Sequence, residues 1–193
     1  MIPYSRQSIS EQDIEEITKV LRSDLITQGP ISEEFEAEIC SYTGCKYSVL
    51  TNSATSALHL ACLALGLGPG DKLWTSPNSY VASANVGVLC NAEVDFVDID
   101  AKTYNMCVKS LAQKLGKAEV DGKLPKIVMP VHFAGQSCDM ISIKKLSEKY
   151  GFKIVEDGSH AIGGRYNGEP IGSCLFSDIT VFSFHPVKII TTG

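Results

Sequence analysis

The chain has 193 residues, room for one large domain or a domain with an appendage, and its 44% hydrophobic and 20% charged content suits a packed core. A net charge of −5 and a pI near 5.4 argue against a general binder of nucleic acid or acidic membranes. Local phosphate binding by backbone amides is untouched by that exclusion.

Ser10-Glu11-Gln12-Asp13 reads as a capping box, and Ile14, Ile17, Val20 and Leu21 follow at helical spacing, which predicts a helix near 11–22. Pro30 opens a second helix with Ile31, Phe35 and Ile39 on one face, stopped by Gly44. Tyr47 to Leu50 reads as a short strand. Ala54 to Leu65 reads as a helix closed by Gly66 and the turn Gly68-Pro69-Gly70-Asp71. The chain then alternates. Strands are expected at Lys72 to Thr75, Glu93 to Asp98, Lys126 to His132 and Lys153 to Glu156, with helices at Tyr80 to Leu89, Val108 to Leu115 and Ile141 to Tyr150. Strands separated by helix-length segments imply crossovers, and so an α/β fold with a mostly parallel sheet flanked by helices. Asn167-Gly168 offers a hairpin turn ahead of a last strand, Ile179 to Phe184.

Seven cysteines, an odd number with no C-x-x-C pair, mostly stand in apolar stretches and read as reduced, buried thiols rather than disulfides or zinc ligands. The N-terminus has no hydrophobic signal core, and no segment reaches transmembrane length, so a cytoplasmic protein is expected, with no membrane and no nucleic-acid partner.

Two strand ends carry the chemistry. The apolar run Lys153-Ile154-Val155 finishes at Asp157, and the run Ile179 to Phe184 gives way to a loop holding Lys188. A lysine so placed can form a Schiff base with an aldehyde. A nearby aspartate can pair with a protonated pyridine nitrogen and keep an electron sink switched on. Together they point to pyridoxal phosphate. Between a strand and a helix, Asn52-Ser53-Ala54-Thr55-Ser56-Ala57 offers unpaired helix N–H groups and hydroxyls to a phosphate, although Ser53 serves equally as a plain helix cap. Tyr80, after Pro77-Asn78-Ser79, reads either as a ring-stacking aromatic or as a core residue. His160 reads as a group within reach of a cofactor hydroxyl or as an ordinary packed histidine. Ser183 and His185 alternate with Phe182 and Phe184 and so would share a face, with Ser183 the better second phosphate donor. Neither G-x-x-x-x-G-K-[ST] nor G-x-G-x-x-G is present, which lowers the case for nucleotide hydrolysis or dinucleotide binding.

In order, Thr27-x-Gly29-Pro30, Asn52-Ser53-Ala54-Thr55-Ser56-Ala57-Leu58, Glu156-Asp157-x-x-His160-Ala161-x-Gly163 and Ser183-Phe184-His185-x-x-Lys188 resemble the DegT/StrS-type sugar aminotransferases over nearly the whole chain. The serine-containing phosphate loop and the segment from Ser79 to Asn85 look most like the pseudaminic-acid branch, whose enzymes aminate a UDP-linked 4-keto-6-deoxy-N-acetylhexosamine. The resemblance implies the large domain of a fold-type I transferase, a pyridoxal 5′-phosphate cofactor, an amino-acid donor such as glutamate, and a homodimer with its active sites at the interface. Carried over by position, Lys188 would bind the cofactor, Asp157 its ring nitrogen and His160 its ring hydroxyl. Tyr80 would stack on the ring, and Ser53, Ala54, Thr55 and Ser183 would hold the phosphate. Tyr4, Asp24, Leu25, Ile26, Thr27 and His185 would face the sugar nucleotide. A dTDP-linked keto-sugar is the alternative substrate, and a non-catalytic remnant the alternative of another class. Lys188 argues against the related dehydratases, which carry histidine there. Gly158-Ser159 departs from the two small apolar residues that many relatives hold. The family also continues beyond the lysine into a small C-terminal domain, so residues 1–193 are expected to be an N-terminal fragment: a large domain with a helical segment at 1–45.

Overall fold

The computed structural model describes residue 2 and residues 5–192. Helix α1 (Glu11–Leu21) starts on the expected capping box: the Ser10 hydroxyl accepts from the Asp13 N–H, and the Asp13 carboxylate accepts from the Ser10 N–H. None of its residues is buried, and Ile14, Ile17 and Leu21 are exposed. Helix α2 (Pro30–Thr43) has proline in its first turn and ends on Gly44, whose left-handed conformation (φ 79°) a glycine adopts without steric cost. Helix α3 (Ala54–Ala64) follows.

The sheet is then built from β1 (Lys72–Thr75), β2 (Glu93–Phe96), β3 (Ile127–Met129), β4 (Lys153–Asp157) and a last parallel strand, Ile179–Val181. Between them lie α4 (Ala82–Leu89), α5 (Val108–Val120) and α6 (Met140–Tyr150). The hairpin expected at Asn167-Gly168 forms β5 (Arg165–Tyr166) and β6 (Glu169–Pro170), which makes the last parallel strand β7. The order is β2-β1-β3-β4-β7, with every neighbouring pair parallel.

Strand alternation divides the core between two faces. Leu73, Ile127, Met129, Val155 and Val181 pack with Leu58, Cys62 and Val86 of α3 and α4. Trp74, Val128 and Ile154 pack with Leu111 and Leu115 of α5 and Ile143 of α6. Because the strands are all parallel, their C-terminal ends open on one edge, and the order reverses there between β1 and β3. That edge collects the residues considered below.

Two expectations are corrected. Tyr47 to Leu50 forms no strand: Tyr47 and Val49 are exposed, and the Leu50 N–H donates to the Glu36 carboxylate, 2.8 Å, instead of to a neighbouring strand. The last strand stops at Val181, so Ser183 and His185 do not share a strand face; Ser183 is buried and His185 exposed. All seven cysteines are free thiols. Among the described residues, no helix is long and apolar enough to cross a membrane.

Candidate active site

Asp157 closes β4 and is 4% exposed. Its Oδ1 accepts from the Ser159 N–H (3.1 Å) and the Ser159 hydroxyl (2.6 Å), and its Oδ2 accepts from the Ser83 hydroxyl (2.7 Å). Ser159, one half of the Gly158-Ser159 departure, therefore ties down the carboxylate. Gly158 fits for a different reason: a Cβ there would stand 3.2 Å from both the Phe182 ring and the Val181 carbonyl oxygen.

Behind Asp157, on the other face of β4, the buried Glu156 accepts from His132 Nε2 (2.7 Å), from the Ser177 hydroxyl and from the Thr180 hydroxyl (3.1 Å). His132 Nδ1 accepts the Cys138 N–H at 3.1 Å, so the ring proton sits on Nε2 and points to Glu156. Burial alone would raise the Glu156 pKa, but these donors outweigh it and hold the carboxyl below its usual range. This network fixes the end of β4 from below.

Lys188 lies in the turn after β7, where its N–H donates to the His185 carbonyl at 2.8 Å. The neighbouring Phe184 ring packs edge-on against Phe35 of α2, centroids 5.1 Å apart. The Lys188 amine reaches back across the edge to His160 Nε2 at 2.5 Å. Burial lowers the Lys188 pKa, and the Asp157 charge opposes that shift. For His160, burial and then the Lys188 charge lower the pKa, against Asp157. The imidazole is thus kept neutral and accepts from the amine. The loop after β3 supports this corner at Gly135, whose φ is +87° and whose position would place a Cβ 2.6 Å from the His160 carbonyl oxygen.

The phosphate candidates sit at the start of α3. Ser53 is the N-cap, its hydroxyl accepting from the Ser56 N–H at 3.1 Å, so the capping role is filled. Among the described residues, the Ala54 and Thr55 N–H groups have no partner, as the first turn of a helix leaves them. Tyr80 is 76% exposed in the turn just before α4. Asp24, Leu25, Ile26 and Thr27 are exposed between α1 and α2, and among the described residues no hydrogen bond or ion pair joins them to Lys188, Asp157 or His160. Tyr4 lies outside the described residues. Lys188, His160 and Asp157 are therefore brought together, while the substrate-facing candidates are not. Ser83, Ser159 and Gly135 escaped the reading of the sequence. Ser159 had a signal, being two residues beyond an aspartate in a turn-forming position; Ser83 had one only as part of the segment Ser79 to Asn85, with nothing to link it to Asp157.

An amine and a buried carboxylate thus lie on the C-terminal edge of a parallel sheet, beside an open helix N-terminus. A model of the DegT/DnrJ/EryC1/StrS aminotransferase family matches residues 7–193, and the chain belongs to that family. It is 41% identical over 192 residues to the UDP-4-amino-4,6-dideoxy-N-acetyl-beta-L-altrosamine transaminase of Campylobacter jejuni subsp. jejuni serotype O:23/36 (strain 81-176), covering 100% of this chain and 49% of that protein. Helicobacter pylori PseC, described as an aminotransferase involved in the biosynthesis of pseudoaminic acid, superposes with a TM-score of 0.89 at 31% identity, over 98% of this chain and 49% of that one. Spr1654 of Streptococcus pneumoniae, a candidate sugar aminotransferase solved in PLP and PMP forms, superposes with a TM-score of 0.87 at 34% identity, over 98% of this chain and 50% of that one. The fold is that of the large domain of fold-type I pyridoxal-phosphate-dependent transferases. The chain spans about half the length of the curated relatives it matches.

Proposed function

We propose that this chain is the cofactor-binding part of a pyridoxal-phosphate-dependent sugar-nucleotide aminotransferase. The observation that carries the reading is the meeting of Lys188, His160 and Asp157 on one sheet edge. The residues fit the cofactor: Asp157 is a buried acid with no ion-pair partner among the described residues, a place suited to a cationic ring nitrogen. The Ala54 and Thr55 N–H groups, with the Thr55 and Ser183 hydroxyls, would hold the phosphate at the positive end of the α3 dipole. Tyr80 would cover the ring, and His160 would approach its hydroxyl.

Bound pyridoxal phosphate supplies a carbonyl that exchanges with amines and an electron sink for the carbon they carry. The chain's own groups do the rest. Lys188 Nζ, made less basic by burial, takes the proton from the donor's α-carbon and returns protons during the second half-reaction. Asp157 would pair with the ring nitrogen, and the Glu156 network ties down the strand end that carries it.

The proposed acceptor is a UDP-linked 4-keto-6-deoxy-N-acetylhexosamine, a reading supported by the name of the Campylobacter jejuni relative; glutamate is proposed as the donor from the family resemblance alone. The exposed Asp24 to Thr27 segment would face that nucleotide sugar together with Tyr4 and His185. A homodimer is part of the proposal, supported by the exposed apolar side chains of Ile14, Ile17 and Leu21 on α1. The test is to incubate the full-length protein, glutamate and pyridoxal phosphate with UDP- and dTDP-linked 4-keto sugars and follow the amino sugar by mass. Amination of the UDP sugar is expected. Amination of neither sugar, or of the dTDP sugar alone, overturns the assignment of substrate.

A further inference from the structure

Ser83 sits in the first turn of α4, 74 residues before Asp157 in sequence, yet its hydroxyl lies 2.7 Å from Asp157 Oδ2. Both residues are almost fully buried, at 1% and 4% exposure. An ionised carboxylate only accepts, so Ser83 donates in this bond. The Ser83 oxygen is then the acceptor left for the Ser79 hydroxyl, 2.8 Å away, which sets the direction of a short relay from Ser79 through Ser83 to Asp157.

Counting donors locates what remains. A carboxylate has about four acceptor positions, two on each oxygen. Oδ1 takes two donors, both from Ser159, and is filled. Oδ2 takes one, from Ser83, and keeps one position open. We infer that Ser83 is a positioning residue that fixes the Asp157 side chain with its single open acceptor on Oδ2, the oxygen that receives a cofactor's ring N–H. The inference rests on the reading of Asp157 as the ring-nitrogen partner. It also ties that role to Tyr80, since Ser79, the head of the relay, is its immediate neighbour in the chain.

A hydrogen bond to a charged group is worth enough that its loss changes a rate about tenfold or more. The experiment loads full-length protein with ¹⁵N-ring-labelled pyridoxal phosphate and records the ring-nitrogen resonance beside steady-state kinetics for Ser83→Ala, Ser83→Thr and Asp157→Asn. For Ser83→Ala, the expected result is a shifted resonance and a kcat lowered about tenfold, with KM for the amino donor within about twofold. Ser83→Thr, which keeps a hydroxyl, should restore both. Should the buried alanine variant fail to fold, Ser79→Ala carries the test from the half-exposed end of the relay, with a smaller shift in the same sense. If Ser83→Ala, or Ser79→Ala in its place, keeps the wild-type resonance and kcat while Asp157→Asn loses both, the role of Ser83 is overturned and that of Asp157 stands. If Asp157→Asn itself leaves both unchanged, the reading beneath it fails.

Discussion

The amine of Lys188 and Nε2 of His160 stand 2.5 Å apart, joining the turn after β7 to the loop after β4 across 28 residues of chain. Burial lowers the pKa of both groups, and the Lys188 charge lowers that of His160 further. The Lys188 shift favours the uncharged amine, the form that the proposed role of Lys188 as nucleophile and base requires.

Asp157 opposes that shift, and its removal tests both of its roles. Asp157→Asn should still attach the cofactor covalently, with the pH midpoint for attachment moved downward, because the carboxylate that favours the ammonium form of Lys188 is gone. Transamination should fall by orders of magnitude, since each unit lost from the ring-nitrogen pKa is worth about 1.4 kcal/mol. Stopped-flow absorbance across pH, with turnover measured alongside, checks both. Turnover within a fewfold of wild type, or an upward midpoint, would show that Asp157 faces something else.

Glu156 governs acid stability. Its folded pKa lies below the ordinary 4.5, so it contributes stability that is fully present above that value and is lost as pH falls through the folded pKa. Glu156→Gln cannot accept from His132, Ser177 and Thr180 alike. Losing the hydrogen bond from His132 to a buried carboxylate should cost on the order of 2 kcal/mol at neutral pH and flatten the acid limb of a urea-midpoint profile. Parallel profiles for the two proteins would contradict the network described here.

Much of this was legible in the residues. The capping box at Ser10, the Gly44 stop, β1 and the Asn167-Gly168 hairpin were readable because each depends on local chemistry. The place of Asp157 at the end of β4 was readable because the apolar run before it stops there, whereas Lys188 lies in a turn well beyond Val181, where β7 ends, and not at the strand end the sequence suggested. Tyr47 to Leu50 misled because its alternation is real while no neighbouring strand accepts it; alternation describes a face, and a strand also needs a partner. The segment Ser79 to Asn85 stood out in the sequence, but the role of Ser83 within it was hidden, because it comes from a hydrogen bond to Asp157 across 74 residues of chain. The Glu156 network was equally hidden, since His132 and Ser177 are 24 and 21 residues away from it.

Ser53 separates capping from phosphate binding. Ser53→Ala should destabilise the protein by about 1 kcal/mol through loss of the α3 cap. If the α3 N-terminus holds the phosphate, the same variant should bind pyridoxal phosphate more weakly while its affinity for pyridoxal, which lacks the phosphate, stays unchanged. Titrating both ligands by absorbance decides it. An equal loss for the two would assign Ser53 to stability alone.

The most direct measurement concerns Lys188 itself. Full-length protein mixed with pyridoxal phosphate should develop a visible absorbance band that borohydride bleaches, leaving the cofactor fixed to the chain, and peptide mapping should place it on Lys188. Lys188→Ala should show neither band nor adduct. An adduct on any other lysine, or a band that survives Lys188→Ala, would contradict the assignment of this site.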